Sequence, residues 1–277
     1  MKKYLNDNFN FDNPELVSSI DELSIWSAPF GMKMLDVIEM KTNMNYLDVG
    51  FGTGFPLIEI VQRLGPTCTA TGIDPWIGAH ERTKAKLKQY GLTNVSLHNG
   101  TAEKMAFDDN TFNLITSNNG LNNVENEPAA YAECYRVCKT NGQFVFTYNL
   151  PETFAEFYLE FEKVLTDFGQ PSKIEKLRAH IHKKRKTIVE TKEIVLNNGF
   201  KIEQIITDSF KWRYTDGSAM LNHWFIRLAF LDSWIEIPEK EDQEKIFDEL
   251  EKRINKEAEK NGCFNMTIPF TVFNCKK

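Results

Sequence analysis

Short apolar runs recur along this chain, and most of them end in a polar or glycine-containing turn. Runs of this length that are rich in β-branched and aromatic residues predict strands, and the longer mixed segments between them predict helices. We predict strands near residues 45–48, 68–73, 95–98, 112–117, 143–148, 201–207 and 266–273. Strands that alternate with helices predict an α/β fold with a seven-stranded, mostly parallel sheet and helices on both faces.

The turn after the first strand carries the strongest chemical signal. It reads Asp48-Val49-Gly50-Phe51-Gly52-Thr53-Gly54, with Pro56 at the start of the next helix. Alternating glycines let a ligand lie against bare backbone at the carboxyl end of a strand. A dinucleotide turn places its third glycine one residue later, and the carboxylate of Asp48 would repel a phosphate. S-adenosylmethionine has no phosphate but carries an ammonium and a sulfonium, so spacing and charge favour this methyl donor.

Polar groups also follow the next three predicted strands. The second strand ends at Asp74, with Pro75 and Trp76 after it. An acid about 20 residues beyond the glycine turn is placed to accept hydrogen bonds from ribose hydroxyls, and Trp76 is placed to pack beside adenosine. The third strand leads into Asn99-Gly100-Thr101-Ala102-Glu103 and the fourth into Asn118-Asn119-Gly120. Because the carboxyl ends of parallel strands share one edge of a sheet, we expect these groups to form one site.

These motifs resemble those of class I S-adenosylmethionine-dependent methyltransferases of the small-molecule type, similar to the group that acts in ubiquinone and menaquinone biosynthesis. The resemblance covers residues from about 45 to 148. It includes the glycine turn, Asp74, Gly100-Thr101-Ala102-Glu103, the strand Phe112 to Asn118, and the segment Glu133 to Gly142 before the fifth strand. It implies a Rossmann-like class I methyltransferase fold with an antiparallel last strand and a helical cap. It implies nothing about the methyl acceptor.

The resemblance also implies roles for single residues. Gly50 and Gly52 pass under the methionine part of the cofactor, Asp74 holds the ribose, and Asn118 offers its backbone carbonyl to the methionine amino group. Ala102 and Glu103 border the adenine, whereas Thr101 departs from the acid that many relatives have there. The predicted cofactor residues are Asp48, Gly50, Gly52, Gly54, Asp74, Pro75, Trp76, Thr101, Ala102, Glu103 and Asn118.

Lengths between the predicted elements define the organisation of the chain. We predict an N-terminal helical cap segment at 1–44, with a helix from Met32 to Met40, and an S-adenosylmethionine-binding core at 45–150. A helical insertion that caps the substrate follows at 151–198. A C-terminal strand pair at 199–277, with a helical insertion at 218–260, completes the same single domain.

The insertions predict where the acceptor binds. A helix from Ala219 to Leu231 is apolar almost all round, so it is either buried or faces a ligand. Several of the 21 phenylalanines fall in these insertions, and Trp26 and Phe30 lie in the N-terminal segment. Aromatic-lined, mostly apolar pockets suit small organic acceptors, so we predict a closed pocket rather than an open groove.

Methyl transfer is an in-line displacement that requires alignment, exclusion of water and, for an oxygen or nitrogen acceptor, removal of a proton. No metal is required. His223 is the predicted general base because it lies in the apolar helix and its ordinary pKa suits proton transfer. A core histidine bonded to backbone is the alternative. Asn119 and Tyr148 are further predicted catalytic residues near the expected pocket.

Composition limits the remaining classes of function. A net charge of −6 argues against a broad nucleic-acid surface, although His180-Ile181-His182-Lys183-Lys184-Arg185-Lys186 is a local basic run. No apolar run is long enough to span a membrane, and the start of the sequence lacks the apolar stretch of a signal peptide, so we expect a cytoplasmic protein with reduced cysteines. The alternatives are a methyltransferase that acts on RNA or protein, and a non-catalytic module that binds S-adenosylmethionine.

Overall fold

The computed structural model describes residues 5, 9–21 and 25–277. The other residues of the predicted segment 1–44, including most of the start of the chain, lie outside the described residues. Within the described ranges the strands are β1 Asn45–Val49, β2 Thr69–Asp74, β3 Val95–Asn99, β4 Phe112–Asn118, β5 Cys138–Asn149, β6 Lys201–Tyr214 and β7 Phe264–Lys276.

The helices fill the segments between the strands. In chain order they are α1 Pro14–Asp21, α2 Ser27–Leu35, α3 Leu57–Leu64, α4 Ile77–Tyr90, α5 Glu127–Val137, α6 Ala155–Asp167, α7 Ser172–Lys184, α8 Ile188–Asn197, α9 Gly217–Asn222, α10 Trp224–Ile226, α11 Asp232–Ile235 and α12 Gln243–Asn261. A π-helical turn, Arg227–Leu231, joins α10 to α11. None of these described helices has the length and apolar character needed to cross a bilayer.

The seven strands of the described chain form one sheet in the order β3-β2-β1-β4-β5-β7-β6. Strands β1 to β5 pair in parallel. Strand β7 pairs antiparallel with β5, from Gln143 opposite Lys276 to Asn149 opposite Phe270. This topology confirms the predicted mostly parallel sheet with an antiparallel last strand. It brings the carboxyl ends of β1, β2 and β4 to one edge.

Two compact units are distinguished by their internal contacts. The core unit comprises Phe11–Leu150, Lys186–Asp208 and Phe270–Lys277, and the helical unit comprises Pro151–Arg185 and Ser209–Pro269 with the described residues before Phe11. This division differs from the predicted single domain with an insertion at 151–198. Helix α8 belongs to the core unit because its Val195 is fully buried in that unit's apolar cluster, with Phe144 and Phe200.

Each unit has an apolar centre of its own. In the core unit, β1 is buried along almost its whole length, and α3 places Leu57, Ile60, Val61 and Leu64 on one face at helical spacing. In the helical unit, α6 and α12 pack together through buried aromatic and aliphatic side chains. These side chains are Phe157, Phe161, Phe247, Leu250 and Ile254.

Two predicted helices differ from the structure. Helix α2 begins at Ser27 and ends at Leu35, not at Met32 and Met40, because Pro29 lies in its first turn, where its missing N–H breaks no helical bond. The predicted helix from Ala219 to Leu231 is interrupted at His223, whose backbone is extended between α9 and α10. His223 therefore lies at a helix junction and not within an apolar helix.

Candidate functional site

The glycine turn after β1 places bare backbone against a second loop. Gly50 has φ +78°, a left-handed conformation, and a Cβ there would lie 2.9 Å from the Cα of Gly120. Gly52 has φ +50°, and a Cβ there would meet no other atom within 4 Å. Gly50 also donates its N–H to the carbonyl of Ile73, 2.8 Å away, so the turn is joined to the end of β2. The glycine at position 50 is therefore required both by conformation and by close approach.

Asp74, the last residue of β2, organises this turn. One carboxylate oxygen accepts a hydrogen bond from the Gly52 N–H and the other accepts one from the Trp76 N–H, each at 2.8 Å. Burial raises the pKa of Asp74, and the two amides oppose this shift by stabilising the charged form. The carboxylate thus occupies an amide of the glycine turn that a phosphate-binding loop would present to its ligand.

A cavity of about 740 Å³ lies in the core unit, at the edge of the sheet where the carboxyl ends of β1, β2 and β4 meet. Most of the predicted cofactor residues line it: Gly50, Asp74, Pro75, Trp76, Thr101, Ala102, Glu103 and Asn118. Asn119, predicted as catalytic, lines it as well. The groups that follow β1, β2, β3 and β4 are therefore brought together, as the parallel order of these strands predicts.

A loop that the sequence reasoning did not assign to the site also lines the cavity. Its residues are Asn123, Val124, Glu125 and Asn126. The Glu103 carboxylate accepts hydrogen bonds from the N–H groups of Glu125, at 2.8 Å, and Asn126, at 3.3 Å, and these bonds hold the loop in place. The available sequence signal is the acid at position 103 together with the asparagine-rich stretch that ends at Asn126.

Three predicted cofactor residues do not line the cavity. Gly52 acts through its N–H bond to Asp74, and Gly54 closes the turn with an N–H bond to the Phe51 carbonyl. Asp48 is fully buried in β1, where one carboxylate oxygen accepts a hydrogen bond of 2.7 Å from the Thr116 hydroxyl. Burial and the nearby charge of Asp74 raise the pKa of Asp48 to about 7.

The two asparagines after β4 differ in their bonding. The Asn118 side chain is held at both ends, since its amide donates to the Ser27 carbonyl and its oxygen accepts from the Thr147 hydroxyl. Asn119 has φ +58°, and its buried side-chain NH₂ has no hydrogen-bond partner in the described part of the chain. A buried donor at a cavity wall is available to a ligand oxygen.

Tyr148 and His223, the other predicted catalytic residues, do not line this cavity. Tyr148 packs in the core unit against Phe146 and Phe273, and its hydroxyl donates to the Thr187 carbonyl at 3.4 Å. Burial raises the pKa of Tyr148, which disfavours its ionisation. His223 belongs to the helical unit.

An aromatic cluster surrounds His223 within the helical unit. Its ring lies 5.4 Å from that of Tyr214 and 5.8 Å from that of Trp212, measured between centroids. Burial lowers the pKa of His223, so the imidazole is neutral near pH 7. Among the described residues, the His223 Nδ1, the Tyr214 hydroxyl and the Trp224 Nε1 are buried and have no hydrogen-bond partner. Buried polar groups in proteins usually have partners, so this cluster is suited to bind a polar ligand.

Comparisons with known proteins agree with this geometry. The model of a family described as "Methyltransferase domain" matches residues 40–208. A demethylmenaquinone methyltransferase from Listeria welshimeri is 31% identical over 140 residues, which are 49% of this chain and 59% of the relative. One from Lactococcus lactis is 27% identical over 165 residues, which are 58% of this chain and 64% of the relative. The match thus spans about three fifths of the length of these relatives.

A solved structure is similar over almost the whole chain. The S-adenosylmethionine-dependent methyltransferase from Aquifex aeolicus superposes with a TM-score of 0.57 at 16% sequence identity. The similarity covers 96% of this chain and 99% of the Aquifex chain. At this identity the comparison concerns the fold, and it agrees with the sheet order described above.

Proposed function

The chain belongs to the methyltransferase domain family, and from this premise we propose that it transfers a methyl group from S-adenosylmethionine to a small organic acceptor. The family match confirms the resemblance that the sequence predicts, including the Rossmann-like class I fold. The observation that carries the proposal is the bond between the Asp74 carboxylate and the Gly52 N–H. Because the carboxylate takes up an amide of the glycine turn, that amide is not offered to a pyrophosphate, and this favours a cofactor without phosphate over a dinucleotide.

The core unit supplies the groups that the cofactor needs. We assign the ribose hydroxyls to Asp74, the adenine to the wall formed by Ala102 and Glu103, and the methionine part to Gly50 and the Asn118 backbone. The cavity of about 740 Å³ has room for a nucleoside joined to an amino acid. When bound, S-adenosylmethionine supplies a methyl group already activated by a positive sulfur, so the protein's own task is alignment and exclusion of water.

The helical unit supplies groups suited to an acceptor. The unpartnered His223 Nδ1 and Tyr214 hydroxyl favour a small molecule with a polar group, held among aromatic rings. We assign His223 as the base that removes a proton from an oxygen or nitrogen acceptor, because its neutral imidazole has a free ring nitrogen. The curated relatives are named for demethylmenaquinone, which is likewise an organic acceptor and not a polymer.

The first test concerns the cofactor. Calorimetric titration with S-adenosylhomocysteine is expected to give binding in the micromolar range, and NADH is expected to give none. An increase in the melting temperature with S-adenosylhomocysteine, and none with NADH, provides an independent readout. Binding of NADH with equal affinity, or no binding of the product at millimolar concentration, would contradict the proposed cofactor.

The second test identifies the acceptor class and the base. The protein is incubated with methyl-labelled S-adenosylmethionine and a cell extract fractionated into small molecules, RNA and protein, and we expect label in the small-molecule fraction. His223→Gln is expected to reduce label transfer about a hundred-fold or more while S-adenosylhomocysteine binding stays unchanged. The exposed His182→Gln is the matched control. Label in RNA or protein would support the corresponding alternative, and cofactor binding without transfer would support a non-catalytic module.

A further inference from the structure

One residue of the basic run at 180–186 differs from its neighbours. Lys183 and Lys184 are exposed, whereas Arg185, which follows the last residue of α7, is only 6% exposed. Its neighbours in space belong to the helical unit. The structure therefore separates a single buried cation from the solvated charges beside it.

The guanidinium of Arg185 has few partners. Its Nη1 donates to the Thr153 carbonyl at 3.1 Å and contacts the Tyr158 hydroxyl at 3.4 Å. Its central carbon lies 5.7 Å from the centroid of the Phe154 ring and 5.5 Å from that of the Tyr158 ring. Within the described ranges, Arg185 forms no ion pair with a carboxylate, and its Nε and Nη2 donate no hydrogen bond to another side chain or to backbone.

A buried arginine without an acid is an unusual arrangement. Arginine remains charged in proteins, and buried charges are normally paired because leaving water costs several kcal/mol. Two ring faces and one carbonyl compensate only part of that loss. The planar fork of N–H groups matches a carboxylate in a bidentate arrangement, so a carboxylate ligand would complete the coordination of Arg185.

The surroundings of Arg185 are aromatic. The Tyr158 hydroxyl that contacts Arg185 also accepts a hydrogen bond of 3.0 Å from Trp234 Nε1, and the Phe154 ring lies 5.8 Å from that of Trp212. These rings place apolar surface beside the guanidinium, and an ion pair is stronger beside apolar surface than in open water. One buried cation balances a single negative charge, whereas a dianionic phosphate would require a second cation, and the nearby lysines are exposed.

We propose that Arg185 binds the carboxylate of a small aromatic acid within the helical unit, and that this acid is the methyl acceptor or its close analogue. The claim that this acid is the methyl acceptor rests on the proposed function. The claim that Arg185 binds the carboxylate concerns binding alone and needs no cofactor.

The binding test compares 2-naphthoate with its neutral counterpart, 2-naphthamide, by calorimetry on the full chain without S-adenosylmethionine. We expect the acid to bind at least ten-fold more tightly. Arg185→Gln is expected to abolish this preference and Arg185→Lys to retain part of it. The control Arg178→Gln removes an exposed arginine of α7 that pairs with Glu162 and should leave the preference intact. Equal affinity for the two probes in the native chain, or no binding of either, would overturn the proposal without recourse to any variant.

The acceptor test uses label transfer from S-adenosylmethionine to the small-molecule fraction. We expect 2-naphthoate to inhibit transfer at concentrations near its dissociation constant, and 2-naphthamide to inhibit at least ten-fold less. Transfer that proceeds unchanged at saturating 2-naphthoate would overturn the assignment of this ligand to the acceptor. An absence of transfer in all fractions would instead count against the proposed function, so the two failures are distinguishable.

Discussion

The core unit and the helical unit differ in how their buried polar groups are satisfied. In the core unit, Asp74 bonds to two backbone amides and Asn118 is held at both ends of its amide. In the helical unit, Arg185 has no acid, and His223 and Tyr214 have buried polar atoms without a partner in the described chain. Protein groups thus satisfy most buried polar groups of the core unit, whereas several in the helical unit lack a partner among the described residues. This difference agrees with our proposal that the core unit binds the cofactor and the helical unit binds the acceptor.

Two buried polar groups of the core unit do not follow this pattern, and both lie next to the glycine turn or the cavity. Within the described residues of the core unit, the Asp48 Oδ2 and the Asn119 NH₂ are buried without a hydrogen-bond partner. Asn119 lines the cavity and Asp48 does not, so a ligand in the cavity can satisfy only the Asn119 group.

The largest expected effect is the pH dependence that Asp48 gives to the free energy of unfolding of the ligand-free protein. Burial raises its pKa from 3.8 to about 7. The folded state therefore holds a proton that the unfolded chain releases between pH 4 and pH 7, and stability falls as pH rises through this window. By linkage, a shift of this size corresponds to roughly 4 kcal/mol in the free energy of unfolding.

Urea unfolding of the native chain and of Asp48→Asn at pH 5 and pH 8 measures this effect. We expect the native chain to lose roughly 3 kcal/mol more stability than the variant between the two pH values, because this interval covers about two of the three pKa units of the shift. Comparing the two differences cancels any constant cost of the new amide. Parallel pH profiles for the two proteins would show that Asp48 is not protonated in the folded state.

The next effect compares two glycines of one turn. Gly50→Ala places a Cβ 2.9 Å from the Gly120 Cα at φ +78°, so the two loops that line the cavity must separate. We expect about a hundred-fold loss of affinity for S-adenosylhomocysteine, which is about 3 kcal/mol. Gly52→Ala is the matched control, since its φ is also positive but its Cβ meets nothing within 4 Å, and less than a ten-fold loss is expected. Equal losses in calorimetric titration would show that conformation, not close approach, determines the effect.

The smallest expected effect concerns the helical unit. Tyr158→Phe removes a hydroxyl that accepts the Trp234 Nε1 hydrogen bond and contacts Arg185. An unpaired buried indole N–H costs about 1–2 kcal/mol, which thermal unfolding can measure. The exposed Tyr90→Phe should change stability by less than about 0.5 kcal/mol. Equal stability of the two variants would show that the Tyr158 hydroxyl contributes nothing measurable to the stability of the helical unit.

Much of the core unit can be predicted because its signals are local. The strand before Gly50, the glycine turn and the acid at Asp74 each occupy a few consecutive residues, and parallel strands necessarily bring their carboxyl ends to one edge. Local signals do not identify the loop at 123–126. Its place depends on hydrogen bonds that the N–H groups of Glu125 and Asn126 donate to Glu103, which lies 22 and 23 residues earlier.

The helical unit is less predictable because its arrangement depends on distant contacts. Apolar periodicity predicts a continuous helix through His223, but the backbone is extended there, so the residue lies at a junction. Charge alone describes residues 180–186 as one basic run, and Arg185 turns inward through contacts with Thr153 and Tyr158, 32 and 27 residues earlier. Neither feature has a short-range signal.

Local sequence is sufficient to predict the α/β fold, the glycine turn and most of the residues that line the cavity, because strand ends and turn chemistry are set by neighbouring residues. The tertiary structure was needed to show that Asp48 is buried away from the cavity and that the loop at 123–126 completes the cavity wall. It also decided that a single arginine of a basic run lies among aromatic rings. The physical reason is that burial and pairing of charges depend on residues far apart in the chain, which periodicity does not record.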